Sequence, residues 1–222
     1  MKITTTHYKK IVTYMLGLFI LALGVSISKA SLLGVSPINA IPSVQSTILS
    51  VNIGICTTIF FIIFIAIQIV ILRKEFRLIN LFQIIPSFLF GFFVSASSYL
   101  CELVLPATEN YIISIIYLLI SIVFVAMGIL LYLNAEIISL PAEGLMQAIA
   151  YKLNIKFSTV KIAFDWTVII IAAILSLLYL DELNGIREGT IFAAFGVGIC
   201  IKWLEPFIEL PLRKFIYGFN QS

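Results

Sequence analysis

Six stretches of this chain are each long and apolar enough to cross a bilayer, and that leaves few folds open. A transmembrane helix needs about 20 mostly apolar residues. The runs Ile11–Ala30, Asn52–Leu72, Leu81–Leu103, Asn110–Leu133, Val160–Leu180 and Gly189–Leu204 all meet that length and character. Inside a membrane the backbone must satisfy its own hydrogen bonds, so such runs form helices. Only 11% of the 222 residues are charged and 61% are hydrophobic, against roughly 25% and 45–50% in a soluble domain. Too little polar surface exists to face water. The reading is an all-α integral membrane protein whose first partner is the lipid bilayer.

The opening run also imitates a cleaved signal peptide. Lys9-Lys10, an apolar stretch and Ser28-Lys29-Ala30 stand where the basic, apolar and small-residue regions of such a peptide would be. Yet Ile11 to Ile27 is longer than the usual apolar region, and the run has a counterpart at Ile112–Leu133. It is expected to remain as the first span.

That counterpart belongs to a repeat. Ala22-Leu23-Gly24 is matched by Ala126-Met127-Gly128, and Gly34-Val35-Ser36-Pro37-Ile38-Asn39-Ala40-Ile41-Pro42 by Ser139-Leu140-Pro141-Ala142-Glu143-Gly144-Leu145. Gly24 to Gly128 and Pro37 to Pro141 are both 104 positions. Each copy reads as a long helix, a Pro-broken short helix, then two more long helices. Repeat one covers about 11–103, repeat two about 110–204, and 205–222 forms a cytoplasmic amphipathic tail. Three spans per copy is an odd number, so the second copy must insert upside down. The chain is therefore predicted to be six transmembrane helices arranged as two inverted three-helix repeats, an arrangement shared by many transporters.

Basic residues alternate between faces as six spans require. Lys2, Lys9 and Lys10, then Arg73, Lys74 and Arg77, then Lys152 and Lys156, then Arg213 and Lys214 fall on one side. Glu102, Glu109, Asp181, Glu182 and Glu188 fall on the other, with Arg187 and Lys29 as edge exceptions. The positive-inside rule then puts both termini in the cytoplasm. The expected location is a bacterial cytoplasmic (inner) membrane.

The two breaks carry the functional signal. Ser31–Val51 contains no charged side chain, unlike an ordinary aqueous loop. Proline is tolerated in the first turn of a helix, so short helices are predicted from Pro37, with Ser36 as N-cap, and from Pro141, with Ser139 near the cap. Two readings stay open for each: a half-helix that dips inward and aims its N-terminus at a central site, or an amphipathic helix on the membrane surface. The second segment, with Asn134, Glu136, Glu143, Gln147 and Lys152, leans to the surface reading.

Asp165 lies inside the fifth span, and an intramembrane carboxylate points to function by default. Lys161 stands one helical turn earlier, so a structural ion pair is the alternative. Lys202 in the sixth span reaches either the headgroups or Asp165. Glu136 and Glu143 flank the second break and suit a cation or a substrate amine. Gly189-Thr190 opens the sixth span as a helix start whose amides could face a site, and Gly196 and Gly198 within it read as close-packing positions. The candidate substrate-binding residues are Ser36, Pro37, Asn39, Glu136, Glu143, Asp165 and Thr190.

Other classes find no support. His7 is the lone histidine, and Cys56, Cys101 and Cys200 lie in apolar runs without a paired spacing, so neither a metal site nor a cofactor is expected. No nucleophile elbow, phosphate loop or zinc-protease helix occurs, and no basic patch suits nucleic acid. An enzyme is not expected.

Leu23-Gly24-Val25, Leu33-Gly34-Val35-Ser36-Pro37 through Pro42, Leu140-Pro141-Ala142-Glu143-Gly144-Leu145-Met146, Val160-Lys161-Ile162-Ala163-Phe164-Asp165 and Arg187-Glu188-Gly189-Thr190 together resemble the YczE-like, YitT-related family of bacterial membrane proteins. The resemblance implies a multi-pass inner-membrane protein without an established substrate, and it carries over no ligand residues. The expected function is a small secondary transporter or substrate-binding membrane protein. Its small-molecule or ion substrate is unidentified, and its site lies between the repeats. The alternative is a non-transporting accessory protein docked on a membrane-protein partner.

Overall fold

The computed structural model describes residues 2–105 and 110–217, with side chains from Thr6 onward. Glu109, the side chain of Lys2 and the tail beyond Tyr217, all used above, lie outside that description. Eight α-helices and no strand occur among the described residues: α1 Lys2–Ala30, α2 Pro37–Leu49, α3 Ile53–Leu72, α4 Ile84–Val104, α5 Tyr111–Asn134, α6 Pro141–Leu153, α7 Phe157–Leu180 and α8 Glu188–Tyr217. Two short 3-10 turns, Arg73–Glu75 and Leu78–Gln83, join α3 to α4. Six of the helices are long and apolar enough to cross a membrane; α2 and α6 are the short ones.

The repeat is reproduced residue by residue. Helix ends Ala30 and Asn134, starts Pro37 and Pro141, ends Leu49 and Leu153, starts Ile53 and Phe157, and starts Ile84 and Glu188 are all 104 positions apart. So are two pairs of non-glycine residues in the left-handed region: Leu32 with Glu136, and the C-caps Ser50 with Asn154. A left-handed residue closing a helix pairs its last carbonyls, and Ser50 and Asn154 do this in each copy.

The copies meet where α1 crosses α5. A Cβ on Gly24 would stand 2.7 Å from the backbone nitrogen of Val125, and one on Gly128 would stand 2.5 Å from that of Leu21. Leu21 and Val125 are themselves repeat equivalents, so the two contacts exchange under a two-fold axis through the crossing. Tyr14 stacks edge-on against Tyr132, with ring centroids 6.1 Å apart. Running up α1 from Tyr14 to Leu21 to Gly24 therefore runs down α5 from Tyr132 to Gly128 to Val125. The helices are antiparallel, and the second copy is inverted relative to the first. Small residues permit this backbone approach.

The short helices are exchanged between copies. α2 packs on α7, burying Ala40, Ile41 and Val44 against Val168, Ile169 and Ala172. α6 packs on α3, burying Ala142, Leu145 and Met146 against Phe64. Six consecutive residues at the start of α6, Pro141–Met146, are buried. The leaning of this segment toward the membrane surface is thus corrected: Asn134, Glu136 and Lys152 lie at the two ends of the break, while its first turns, otherwise apolar and small, enter the core and carry Glu143 with them.

Symmetry fails between the last two long helices of each copy. α7 packs along α8 through Gly198, whose added Cβ would meet Ile162 at 2.2 Å, whereas α3 and α4 barely touch. At equivalent positions the first copy has Phe61 and Phe90 where the second has Asp165 and Ala194. Two phenylalanines do not allow the approach that alanine does. α8 also differs from expectation: it continues unbroken through Pro206 and Pro211 to Tyr217. Its end docks on the start of α1, where the Lys9 ammonium donates to the Phe215 carbonyl at 2.7 Å.

Candidate functional site

The starts of α2 and α6 line one cavity. Each begins with proline at its first position, which sets the φ of the opening turn and removes one donor that would have no partner there. The cavity has a volume of about 80 Å³ and is walled by Ser36, Ile38 and Asn39 from the first break and Leu140, Ala142 and Glu143 from the second. Lys161 of α7 completes the polar lining, and Phe61 and Phe90 close the side where α3 and α4 separate. A smaller space of about 30 Å³ adjoins it, sharing Ser36 and Lys161 and adding Pro37, Ser28, Ser121 and Asp165.

Glu143, Lys161 and Asp165 are the charged side chains that are buried among the described residues. The Lys161 ammonium donates to Asp165 Oδ2 one turn along α7. Asp165 Oδ1 is buried with no hydrogen-bond partner. Glu143 sits in the first turn of α6, within electrostatic reach of both. A helix start stabilises a carboxylate by ~2 kcal/mol at most, whereas each buried ion costs several kcal/mol of lost hydration. The Lys161–Asp165 pair offsets one carboxylate. Glu143 is left as the surplus.

Around these charges stand polar groups with free capacity. Ser36 occupies the N-cap position of α2, but its hydroxyl makes no capping bond. Pro42 has no N–H to offer the carbonyl of Ile38, four residues before it. The Tyr132 hydroxyl is fully buried beside the Glu143 carboxylate and the Leu140 backbone, without a hydrogen bond of ordinary geometry to either.

Tyr132 also borders a second space. A vestibule of about 360 Å³ opens at the face that holds both termini, lined by Glu75, Arg77, Asn80, Glu136, Ser139, Gln147 and Tyr132 among others. Beneath it, the fully buried amides of Gln68 and Gln83 bond to each other in both directions, at 3.1 and 3.0 Å, and Gln68 donates to the Pro141 carbonyl at 2.9 Å. Gly144 makes room for them: a Cβ there would lie 2.7 Å from Gln83 Nε2 and 2.9 Å from Gln68 Oε1.

The opposite face is shut by backbone. Val35 N–H donates to the Gly185 carbonyl at 3.0 Å, Gly189 N–H to the Leu33 carbonyl at 2.8 Å, and the Thr190 hydroxyl to the Val35 carbonyl at 2.8 Å. Gly34 sits between them at φ +121°, a conformation open to glycine alone at low cost. The Thr190 hydroxyl would also lie only 2.5 Å from a Cβ at that position.

The sequence candidates thus divide. Ser36, Pro37, Asn39, Glu143 and Asp165 converge on the two adjoining cavities. Thr190 holds the chain leading into α2. Glu136 lies at the terminal face, paired with Lys10 at 3.1 Å and accepting from the Tyr217 hydroxyl. Tyr217 first, and Lys10 after it, hold the Glu136 carboxyl below the usual glutamate range. Ser139 stands beside the cap residue, Leu140, and its hydroxyl donates to Gln147 at 2.5 Å. Lys202 is exposed and does not reach Asp165. Lys161, Tyr132, Gln68 and Gln83 were missed as lining groups. The two glutamines left a signal, since an amide inside an apolar span needs a partner.

The profile of a family of unknown function, DUF6198, matches residues 8–206. The chain belongs to that family. Its match begins within α1 and ends within α8, so it spans both inverted copies. No curated protein and no solved structure matches the chain.

Proposed function

We propose that this DUF6198 protein is a small secondary transporter that binds a polar solute or ion between its inverted repeats. The observation that carries the reading is the convergence of two half-helix starts on one cavity that also holds Glu143, Lys161 and Asp165. Irregular backbone at such depth is tolerated where it lines a cavity, and discontinuous helices around a central site are a transporter device. Enclosed charge that only stabilised the fold would be a poor choice, because an apolar substitute is as good or better.

The two faces are closed by equivalent junctions of the repeat, one residue before α4 and one before α8. At the terminal face Gln83 bonds Gln68; at the other, Arg187 bonds the Leu32 carbonyl at 3.0 Å. Alternating access would open one junction as the other closes, rocking one copy against the other about the α1–α5 crossing. The Lys and Arg distribution supports cytoplasmic termini, and with them a bacterial inner-membrane location. The likeness to YczE-like proteins agrees with this reading through its short motifs around Pro37 and Pro141.

A screen of small polar solutes and salts for thermal stabilisation of the detergent-purified protein tests the site, since a ligand at 100 times its Kd adds about 2.7 kcal/mol. The stabilising compound is then followed into proteoliposomes. Uptake should fall in Asn39→Ala, Ser36→Ala and Asp165→Asn. Equal uptake in all three and in wild type would remove the cavity from the mechanism.

A further inference from the structure

We propose that Glu143 is a proton-binding site, holding a proton at neutral pH and exchanging it with the terminal face past Tyr132. The inference deepens the transport reading by naming a coupling ion, and it rests on that reading only for the proton's use.

The charges around the cavity do not balance. Every element around the cavity has been placed, and α1, α2, α3, α4 and α5 contribute Leu21, Val25, Ser36, Ile38, Asn39, Phe61, Phe90, Val125 and Ile129, none of them ionisable. α7 contributes Lys161 and Asp165, already bonded to each other. If all three buried groups were ionised, the interior would hold one uncompensated negative charge. The loss of hydration outweighs what a helix start returns, as set out above, so a positive partner is required.

Two partners could serve, a proton or a metal cation. The Lys161 ammonium lines the same cavity as Glu143, and the starts of α2 and α6 present their positive ends there. A metal ion would have to sit among these like charges and be wrapped by several oxygens. A proton bonds to one carboxylate oxygen and needs no such shell. The proton is the better fit.

Access follows from the position of Tyr132. Its hydroxyl is buried beside the Glu143 carboxylate with no hydrogen bond of ordinary geometry, and the residue borders the vestibule. A phenol that both donates and accepts can pass a proton between the carboxylate and the vestibule when opening of the terminal face lets water reach the buried hydroxyl: Glu143 then gives its proton to the phenol oxygen as the phenol proton leaves to that water, and the reverse reloads it. No redox partner is needed.

Infrared difference spectroscopy on the full-length purified protein decides the matter. At neutral pH, in buffer free of sodium and potassium, a protonated carboxyl band equivalent to one group per chain is expected. It should shift on ¹³C-glutamate labelling, stay put on ¹³C-aspartate labelling, and be lost in Glu143→Gln. Added sodium or potassium chloride should leave it in place. Absence of a glutamate band in labelled wild type overturns the proposal, and that measurement does not depend on the variant folding. Loss of the band on adding either salt overturns it in favour of a metal-cation site. Tyr132→Phe should keep the band but delay its shift in heavy water; an undelayed shift overturns the route past Tyr132. A band that behaves as expected in a protein without uptake activity would leave the proton site standing and sink the transport reading alone.

Discussion

Asn39 and Glu143 are the same residue of the repeat. Each is the third residue of its short helix, they are 104 positions apart, and both line the cavity between the copies. One copy offers a neutral amide and the other a carboxylate. The symmetry of the backbone brings the positions together, and the asymmetry of the side chains gives the site its charge.

The α1–α5 crossing should be intolerant of bulk. Gly24→Val and Gly128→Val place atoms against Val125 and Leu21 backbone, and overpacking of this kind costs ~1–3 kcal/mol or more. Gly91→Ala is the control, since a Cβ there meets nothing within 4 Å. Thermal unfolding followed by fluorescence-detected size exclusion should show large losses for the first two and little change for the third.

Removing one member of the buried ion pair should be worse than removing both. Asp165→Asn leaves Lys161 charged and unpaired, a class of change that costs about 3–5 kcal/mol. Lys161→Met combined with Asp165→Leu removes both charges and should recover much of that loss. A double variant no more stable than the single one would mean that the pair is partnered by something beyond the two side chains.

The Gln68–Gln83 pair should show strong coupling. Gln68→Leu strands the Gln83 amide, at ~1–3 kcal/mol for a buried group left unsatisfied, and removes one of the bonds to the Pro141 carbonyl, which α6 itself still pairs. Gln83→Leu strands part of Gln68, and the double variant strands neither amide. Unfolding temperatures of the four proteins should therefore give a double-variant loss smaller than the sum of the single ones.

Acid should weaken the junction of α1, α5 and α8 through Glu136. Its carboxyl is held low by the Tyr217 hydroxyl and then by Lys10. A lowered folded-state value contributes stability that is full above the unfolded value, about 4.3 for glutamate, and is lost as pH falls through the folded one. Unfolding temperature measured from neutral pH downward should start to drop as pH passes below that range. Glu136→Gln should lack this part of the drop. An identical acid profile in the two proteins would count against the interaction.

Much of this molecule was legible as pattern. Apolar run length predicted all six spans, because a bilayer imposes one thickness on every helix, and the boundaries at Ala30 and Leu180 agree to the residue. Gly24 and Gly128 marked the repeat, and Pro37 and Pro141 announced the two short-helix starts, because proline acts locally on the backbone that carries it. Lys161 and Asp165 stood one turn apart on one helix, so their spacing made the ion pair one of two readings, and the pair forms.

Depth and partnership were decided only by the folded chain. Nothing local in Pro141–Leu153 says that its first turn is buried; the exchange of α6 onto α3 does that. Nothing near Glu136 says that it pairs with Lys10 and Tyr217, more than eighty positions away, rather than joining Glu143. Covalent neighbours set helix starts, turns and span lengths, so these were written in the order of residues. Which side chains share a cavity depends on how helices from opposite ends of the chain cross, and that is settled by packing.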